Sequence, residues 1–477
     1  MAGDRELRSE RRMTDVEALM WNLEKDPRLS ASIANITLFD RPPDPDRLRA
    51  RLERAVTMIP RLHQRVVPAL GRLAPPEWRA EEDFDLDYHL RWTALPAPGT
   101  LAQLLDLATT HVQRPFDRTR PLWEFLVIEN LEGGRAAMVQ KLHHSIADGE
   151  GSIRMSEQFI DIEPDATEPI APHRPPPESL DATLLATTID TFTHQLRRGL
   201  GLVRRSAEGG VAVVQDPRQL TSLAGDALEL ARSARRQIAV ADPARSPLWE
   251  QRSLRRGIQV LQVPLAEAKA AANTLGGSLN DIFVTAAAGG AGAYHRAAGS
   301  PIDELRITMP VSTRRDHSAG GNSFTPTRVL LPVGIQDPQE RFSAIRARLE
   351  TTKQERAMSL VSGLAGVANL LPTSVVTRLA RQQAETVDFA TSNVRGAPFP
   401  LYIAGALIEA NYPVGPTGGT AWNLTLMSYN GHLDMGLNAD LGAVTDPKGL
   451  RDAIADEFAA LIAAGTQTST RRRPSRN

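Results

Sequence analysis

Cysteine is absent from the 477 residues of this chain. Without thiols the chain can form neither a disulfide nor a thiolate metal site, and it has no cysteine nucleophile. The chain also lacks an excess of charge of either sign, because Lys and Arg (55) nearly balance Asp and Glu (56). No overall electrostatic field therefore favours nucleic acid as a partner. The composition is compatible with a reducing compartment such as the cytoplasm.

Long apolar runs are also missing. No run reaches the roughly 18 strongly apolar residues of a membrane-spanning helix. The first twelve residues are charged, lack the apolar core of a signal peptide, and are expected to form a loose extension. Two segments remain candidates for contact with a lipid surface, the uncharged residues 357–377 and a basic amphipathic helix predicted over 184–205. For both, packing against the protein itself is the alternative.

The length exceeds what one hydrophobic core usually organises, so two domains are expected. Residues 163–179 contain six prolines, which is typical of an extended connector. We predict an N-terminal domain at 13–162, a connector with amphipathic helices at 163–257, and a C-terminal domain at 258–466. A basic tail at 467–477 should follow, disordered over its arginine-rich end.

Local patterns predict interleaved helices and strands in both domains, and therefore an α/β layered architecture. A helix should begin at Asp44-Pro45 and end near Pro60. Strands at 125–130 and 136–142 should form a hairpin. A second hairpin should turn at Asn430-Gly431, the strongest short-range hairpin signal.

Two adjacent histidines stand where the second of these strands ends, in the segment "HHSIADG" that begins at His143. A shared metal ion is disfavoured, because successive strand residues point to opposite faces and no HExxH pattern completes a site. One buried and one exposed structural histidine is the plain interpretation. General-base catalysis is the third, since a neutral imidazole can remove a hydroxyl proton and Asp148-Gly149 can order the turn.

The motif H-H-x-x-x-D-G is the signature of the CoA-dependent acyltransferase superfamily, which includes the condensation domains of peptide synthetases. The wider pattern resembles the bacterial wax ester synthase/acyl-CoA:diacylglycerol acyltransferase family from Met13 to about Ala464. The resemblance is carried by "MTDVEALMWNLE", "RPFDRTRPLWEF", "KLHHSIADGEG", "LNDIFVTA", "MPVSTR", "GNSFTPTRVLLP", "TSNVRGAPFPLYIAGA" and "YPVGP".

The resemblance implies two chloramphenicol-acetyltransferase-like α/β domains with the active site at their interface. It implies transfer of a long-chain acyl group from acyl-CoA to diacylglycerol, giving triacylglycerol, or to a long-chain alcohol, giving a wax ester. Acyl-CoA would be a substrate, with no separate cofactor and no metal. Lipid substrates would place the protein in the cytoplasm, peripherally attached to the inner face of the plasma membrane or to lipid droplets.

The resemblance also implies roles for particular residues. His144 would be the general base and His143 a positioning residue. Asp148 would hold the active-site turn by pairing with an arginine, for which Arg314 is the candidate; a surface role is the alternative for Arg314. The remaining matched positions are Gly149, the Asn280-Asp281 pair, and Pro121, Leu122 and Trp123, which would help shape the acyl or acceptor channel.

Alternatives remain at several points. Ser278 and Asp281 could simply cap a helix, and Trp123 could be ordinary core. An acyl-serine at Ser145 is disfavoured because no G-x-S-x-G elbow is present. Two other functions are a carrier-protein-dependent acyltransferase of secondary-metabolite or surface-lipid assembly, and a non-catalytic lipid-coating protein. The intact histidine motif argues against the last.

Overall fold

The computed structural model describes residues 11–69, 74–147, 149–166, 246–312, 324–355 and 373–472. The predicted helix over 184–205, and residues 357–372 of the uncharged segment, lie outside the described residues. Within these ranges no helix is both long and apolar enough to cross a membrane.

The α-helices of the described ranges follow the predicted alternation with strands. They are α1 (Asp15–Leu23), α2 (Pro45–Met58), α3 (Leu86–His89), α4 (Leu101–Gln113), α5 (Gly149–Ser156), α6 (Leu265–Leu275), α7 (Leu279–Ala297), α8 (Pro338–Glu355), α9 (Thr373–Ala384) and α10 (Pro447–Arg472).

The strands supply two six-stranded sheets and a small hairpin. They are β1 (Ser32–Phe39), β2 (Gln64–Val67), β3 (Glu77–Ala80), β4 (Leu90–Ala94), β5 (Trp123–Leu131), β6 (Arg135–His143), β7 (Arg256–Pro264), β8 (Glu304–Ser312), β9 (Phe324–Pro332), β10 (Phe389–Arg395), β11 (Tyr402–Ile403), β12 (Ala406–Val414), β13 (Trp422–Tyr429) and β14 (His432–Asp440).

The local predictions are confirmed where a short signal specified them. Asp44 caps α2 by accepting a hydrogen bond from the backbone of Arg47. Strands β5 and β6 form the predicted hairpin. The β13–β14 hairpin turns at Asn430 and Gly431, whose φ angles of 41° and 83° are both positive, as a type I′ turn requires.

The first large sheet takes strands from both halves of the chain, whereas the second takes all of its strands from residue 256 onward. The first has the order β11-β12-β1-β6-β5-β4, so two of its strands come from beyond residue 400. The second has the order β7-β14-β13-β10-β8-β9. Strand β12 pairs antiparallel with β1, and most of its residues are buried. Strand β12 lies within the predicted C-terminal domain, which begins at 258, but it is part of the first sheet. It therefore joins the two parts of the chain.

A buried carboxylate strengthens this tie. Asp434 on β14 is fully buried and accepts a hydrogen bond from the backbone of Asn411 on β12, at 2.7 Å. Gln262 on β7 donates to its other oxygen at 2.8 Å. Burial raises the pKa of Asp434 to about 6, although both hydrogen bonds oppose the rise. The two sheets are thus linked by a polar contact within the core.

The described residues nearest to the two ends of the chain depart from prediction. Arg11 and Arg12 are not loose: the backbone of Trp78 donates to Arg11, and Arg12 lies 2.5 Å from the buried Glu77 carboxylate. The buried carboxylate of Glu77 requires a nearby cation, and Arg12 supplies it. The chain therefore makes tertiary contacts already before Met13. At the other end, α10 continues to Arg472, so the helix includes the first arginines of a segment that was expected to be disordered.

Glycines in α7 allow a close approach to α10. A Cβ built on Gly290 would lie 2.7 Å from Ile454 Cα, and one on Gly289 would lie 2.7 Å from the Glu457 carboxylate. Only hydrogen fits between these backbones.

The substitution Gly290→Ala is expected to lower the free energy of unfolding by about 2 kcal/mol, because α7 and α10 must separate and lose packing along their length. Chemical denaturation followed by circular dichroism would measure it. An unchanged or raised midpoint would mean that α10 shifts freely, and that the better helix propensity of alanine decides the outcome.

Candidate active site

The two adjacent histidines diverge. His143 ends β6 and is fully buried, whereas His144 is partly exposed and lines a cavity. The backbone of His143 donates to Leu122 at 2.9 Å and that of His144 donates to Ala31 at 3.0 Å. These two bonds hold the backbone of the histidines against neighbouring segments. Because successive residues of a strand point to opposite faces, one imidazole lies in the core and the next lies at the cavity.

The buried imidazole of His143 has a defined tautomer. The backbone N–H of Ser145 donates to its Nδ1 at 3.1 Å, and the Ser145 hydroxyl lies 2.6 Å from the same atom. Nδ1 is therefore the unprotonated nitrogen, and Nε2 carries the proton. Nε2 lies 3.1 Å from Oε2 of Glu24, which places this N–H beside a buried carboxylate.

Glu24, at the end of α1, is the residue that sequence reasoning missed. Its side chain is only 9% exposed. Burial raises the pKa of this carboxyl, but His143, the hydroxyl of Ser30 and the guanidinium of Arg118 outweigh burial and lower the pKa to about 2. Glu24 is thus a buried carboxylate that stays ionised. It belongs to the quoted segment "MTDVEALMWNLE", but a glutamate at a helix end carries no local sign of such a contact.

Ser145 completes a serine–histidine–glutamate arrangement, yet it is fully buried and is not among the described residues that line the cavity. A nucleophile must reach the substrate. This arrangement therefore orders the turn after β6 and holds His143, which in turn neighbours the cavity-facing His144.

The cavity beside His144 has a volume of about 910 Å³, near the upper end of the usual range for ligand pockets. Its walls come from both sheets, and it reaches three of the hydrophobic cores. The apolar side chains on the wall include Ile33, Phe125, Leu142, Ile153, Met155, Phe159, Phe283, Val329 and Leu349. Such a space can accommodate long hydrocarbon chains.

Asn280 lines the same cavity, and Asp281 does not. Ser278 and Asp281 form the capping box that the S-x-x-D pattern allowed: Asp281 accepts from the backbone and hydroxyl of Ser278, at 2.7 and 2.8 Å. Asn280 Oδ1 accepts a long hydrogen bond of 3.4 Å from Asn393. The amino end of α7 therefore reaches the cavity wall, where its dipole and the Asn280 amide favour developing negative charge.

Pro121, Leu122 and Trp123 are buried behind the wall, and none is among the described residues that line the cavity. Leu122 accepts the hydrogen bond from the His143 backbone. Trp123 donates to Leu62 at 2.7 Å and stacks on His89, with ring centroids 4.6 Å apart. Their observed contacts position the end of β6, so any effect on the channel is indirect.

Asp148 and Arg314 lie outside the described residues, so their predicted pairing stays a prediction. Gly149 begins α5, and four residues of this helix face the cavity, Ser152, Ile153, Met155 and Ser156. Among the described residues no group of three or more His, Asp or Glu side chains is arranged to hold a metal ion.

A polar band interrupts the apolar wall. Asn35 and Gln140 both line the cavity and both donate to Thr37, at 3.0 and 3.1 Å, while Thr37 donates to Asn411 at 2.8 Å. Sequence reasoning also missed this band. The alternating polar residues of "SIANITLF" were its only signal, and an exposed strand face produces the same pattern.

Comparisons with known proteins give the family of this chain. The chain matches the wax ester synthase/diacylglycerol acyltransferase catalytic domain over residues 13–283 and the C-terminal domain of that family over 320–462. It is 34% identical to "Putative diacyglycerol O-acyltransferase MT2557" of Mycobacterium tuberculosis, over 94% of this chain and 91% of that protein. A second protein of that organism, "Putative diacyglycerol O-acyltransferase MT3172", is 30% identical over 96% and 98% of the two chains.

Solved structures share the fold. The wax ester synthase/diacylglycerol acyltransferase from Marinobacter aquaeolei VT8 matches with a TM-score of 0.65 at 23% identity, covering 95% of this chain and 100% of that one. The starter condensation domain of rhizomide synthetase RzmA, solved with C8-CoA, matches with a TM-score of 0.56 at 14% identity, over 95% and 94% of the chains. The predicted fold class is confirmed. On the domain matches and the sequence relatives, this chain belongs to the wax ester synthase/diacylglycerol acyltransferase family.

Proposed function

We propose that this protein transfers a long-chain fatty acyl group from acyl-CoA to the hydroxyl of diacylglycerol or of a long-chain alcohol. The observation that carries the proposal is the placement of His144 and Asn280 on one large apolar cavity between the two sheets. The family membership gives the reaction class, and the cavity wall fits hydrocarbon chains. Triacylglycerol or wax ester would be the product.

In this mechanism His144 accepts the hydroxyl proton while the acceptor oxygen forms a bond to the thioester carbonyl carbon. The carbon–sulfur bond then breaks, and the imidazolium returns the proton to the departing CoA thiolate. No covalent acyl-enzyme forms, and no metal or further cofactor is needed. A positioned base of this kind contributes about 10²–10⁴-fold, and the alignment of two bound substrates adds to it.

The remaining residues act around this base. Asn280 and the amino end of α7 would stabilise the negative charge that develops on the carbonyl oxygen. His143, held by Ser145 and Glu24, would fix the turn that carries His144. Asp148, paired with Arg314, would brace the same turn, and Gly149 would permit its tight backbone. The protein would work in the cytoplasm at the edge of a membrane or lipid droplet, where its lipid substrates reside.

The direct test is release of CoA thiol from palmitoyl-CoA by purified protein, with dipalmitoylglycerol or hexadecanol offered separately. Release that requires an acceptor, with the matching ester as product, is expected, and the two rates rank the acceptors. No release with either acceptor, while an acylated carrier protein serves as donor, would contradict the proposal and favour the carrier-dependent alternative.

A further inference from the structure

Two of the most exposed large apolar side chains of the described residues lie on segments that are joined by a backbone bridge. Ile162 is 70% exposed and Phe399 is 48% exposed. Asp161 and Tyr402 exchange two backbone hydrogen bonds of 2.8 Å in an antiparallel bridge, which sets Ile162 opposite Leu401. We call Ile162 and residues 398–401 the apolar loop patch. It includes the exposed Pro398 and Pro400 on either side of Phe399.

The loop that presents Phe399 is held at both ends. The backbone of Asn430 donates to Ala397 at 2.9 Å, and the backbone of Leu401 donates to the hydroxyl of Tyr429 at 2.9 Å. The two prolines restrict the backbone between these anchors. Phe399 is therefore held in one conformation before it meets a partner, so its burial at an interface costs little additional conformational entropy.

The patch adjoins the cavity. Val394 and Arg395, which directly precede the loop, line the cavity. Ala397 and Leu401, at the two ends of the loop, pack on the core that contains Met155 and Phe159, which are wall residues of the same cavity. Apolar surface thus continues from the exposed patch to the space beside His144.

Charges around the patch are of both signs. The exposed cations are Arg41, which donates to Gly405 just after β11, and Arg395. The exposed anions are Glu163 and Asp165, which follow Ile162. Among the described residues this rim has two cations and two anions, so it complements the paired opposite charges of a zwitterionic phospholipid headgroup and has no excess of either sign.

We propose that the apolar loop patch inserts into a zwitterionic phospholipid surface. Aromatic and aliphatic side chains at the boundary of headgroups and acyl chains are the usual means of peripheral attachment, and its strength follows the apolar area buried. Insertion brings the cavity to the lipid from which a water-insoluble acceptor enters. This last consequence rests on the proposed acyltransferase function, whereas surface attachment does not.

The experiment uses the full chain and the double variant Ile162→Ser with Phe399→Ser, with Leu101→Ser as control. Leu101 is 42% exposed and begins α4, a helix whose buried apolar residues belong to a different hydrophobic core from the one beneath the patch. Co-sedimentation with phosphatidylcholine vesicles is measured first. Binding by the double variant should be weaker by roughly ten-fold or more, and binding by the control should be unchanged. Equal melting temperatures would establish that the variants are folded.

A second measurement separates attachment from catalysis. CoA release with dipalmitoylglycerol embedded in the vesicles should fall with binding, while release with the same acceptor in detergent micelles should stay at the wild-type rate. Wild-type vesicle binding by the double variant would overturn the proposal. So would attachment that requires phosphatidylglycerol, because that would assign it to a basic segment such as 184–205. If no variant and not even the wild type releases CoA, the proposed function fails, and sedimentation alone still decides the attachment.

Discussion

The substitution His144→Ala is expected to lower the turnover number by about 10²–10⁴-fold, while the melting temperature stays close to that of the wild type. The imidazole is the partly exposed one of the pair and lies on the cavity wall, so its removal takes away a base without opening the core. Initial rates of CoA release at saturating palmitoyl-CoA and acceptor would measure the effect.

Asn280→Ala serves as a comparison at another position on the wall of the same cavity. It should lower the rate less severely, since the amino end of α7 retains its backbone donors. Full activity of the His144 variant would show that another group removes the proton. The buried His143 would then need to leave its contacts with Ser145 and Glu24 to do so, and the assignment of His144 as the general base would be wrong.

Glu24→Leu is the second substitution expected to have a large effect. It leaves the Nε2–H of His143 and the hydroxyl of Ser30 without their carboxylate, and it removes a charge partner of Arg118, which lies 3.5 Å away. Loss of one member of a buried polar cluster typically destabilises a protein by about 3 kcal/mol. Turnover should fall at least roughly ten-fold, because His143 no longer fixes the turn that carries His144.

The isosteric substitution Glu24→Gln removes the negative charge of the side chain and keeps its shape. The stability difference from the wild type should therefore depend on pH. The pKa of Glu24 is lowered to about 2 from an ordinary value of 4.5. A lowered acid pKa stabilises the fold above the unfolded-state pKa, and this contribution is lost as the pH falls from 4.5 towards 2. Relative to Glu24→Gln, the wild type should therefore be more stable by on the order of 3 kcal/mol near neutral pH, and the difference should vanish near about pH 2.

Unfolding midpoints in urea at several pH values would test this. Glu53→Gln is the matched control, since the Glu53 side chain is 55% exposed and its ion pair with Arg49 is on the surface. A difference between wild type and Glu24→Gln that stays constant from neutral pH to about pH 3 would mean that Glu24 is not an ionised partner of His143. Partial activity of Glu24→Gln beside an inactive Glu24→Leu would identify a positioning role that an amide oxygen can fill.

Short-range patterns proved reliable for local structure. Asp44 and Pro45 start α2, the Ser278–Asp281 box starts α7, and Asn430-Gly431 closes a hairpin. Each depends on backbone geometry and hydrogen bonds within a few residues, which the residue types themselves specify.

The sequence contains no comparable signal for contacts between segments that are far apart in the chain. Strands β1 to β5 lie between Glu24 and β6 in the chain, and nothing near Glu24 distinguishes it from a solvated helix end. The pairing of β12 with the first sheet could not be predicted for the same reason: its residues resemble those of an ordinary buried strand, and the choice of neighbour depends on the assembled faces. The stacking of Trp123 on His89 likewise follows only from the packing of β5 on α3.

The sequence by itself determined the alternation of helices and strands, the family, and the pair of histidines at a strand end, because these are written in local spacing and in motifs. The tertiary structure alone decided which carboxylate lies beside the buried His143, which strands share a sheet, and where the loop that carries Phe399 lies relative to the cavity. Those outcomes depend on contacts between segments far apart in the chain, and such contacts form only when burial of the cores brings the segments together.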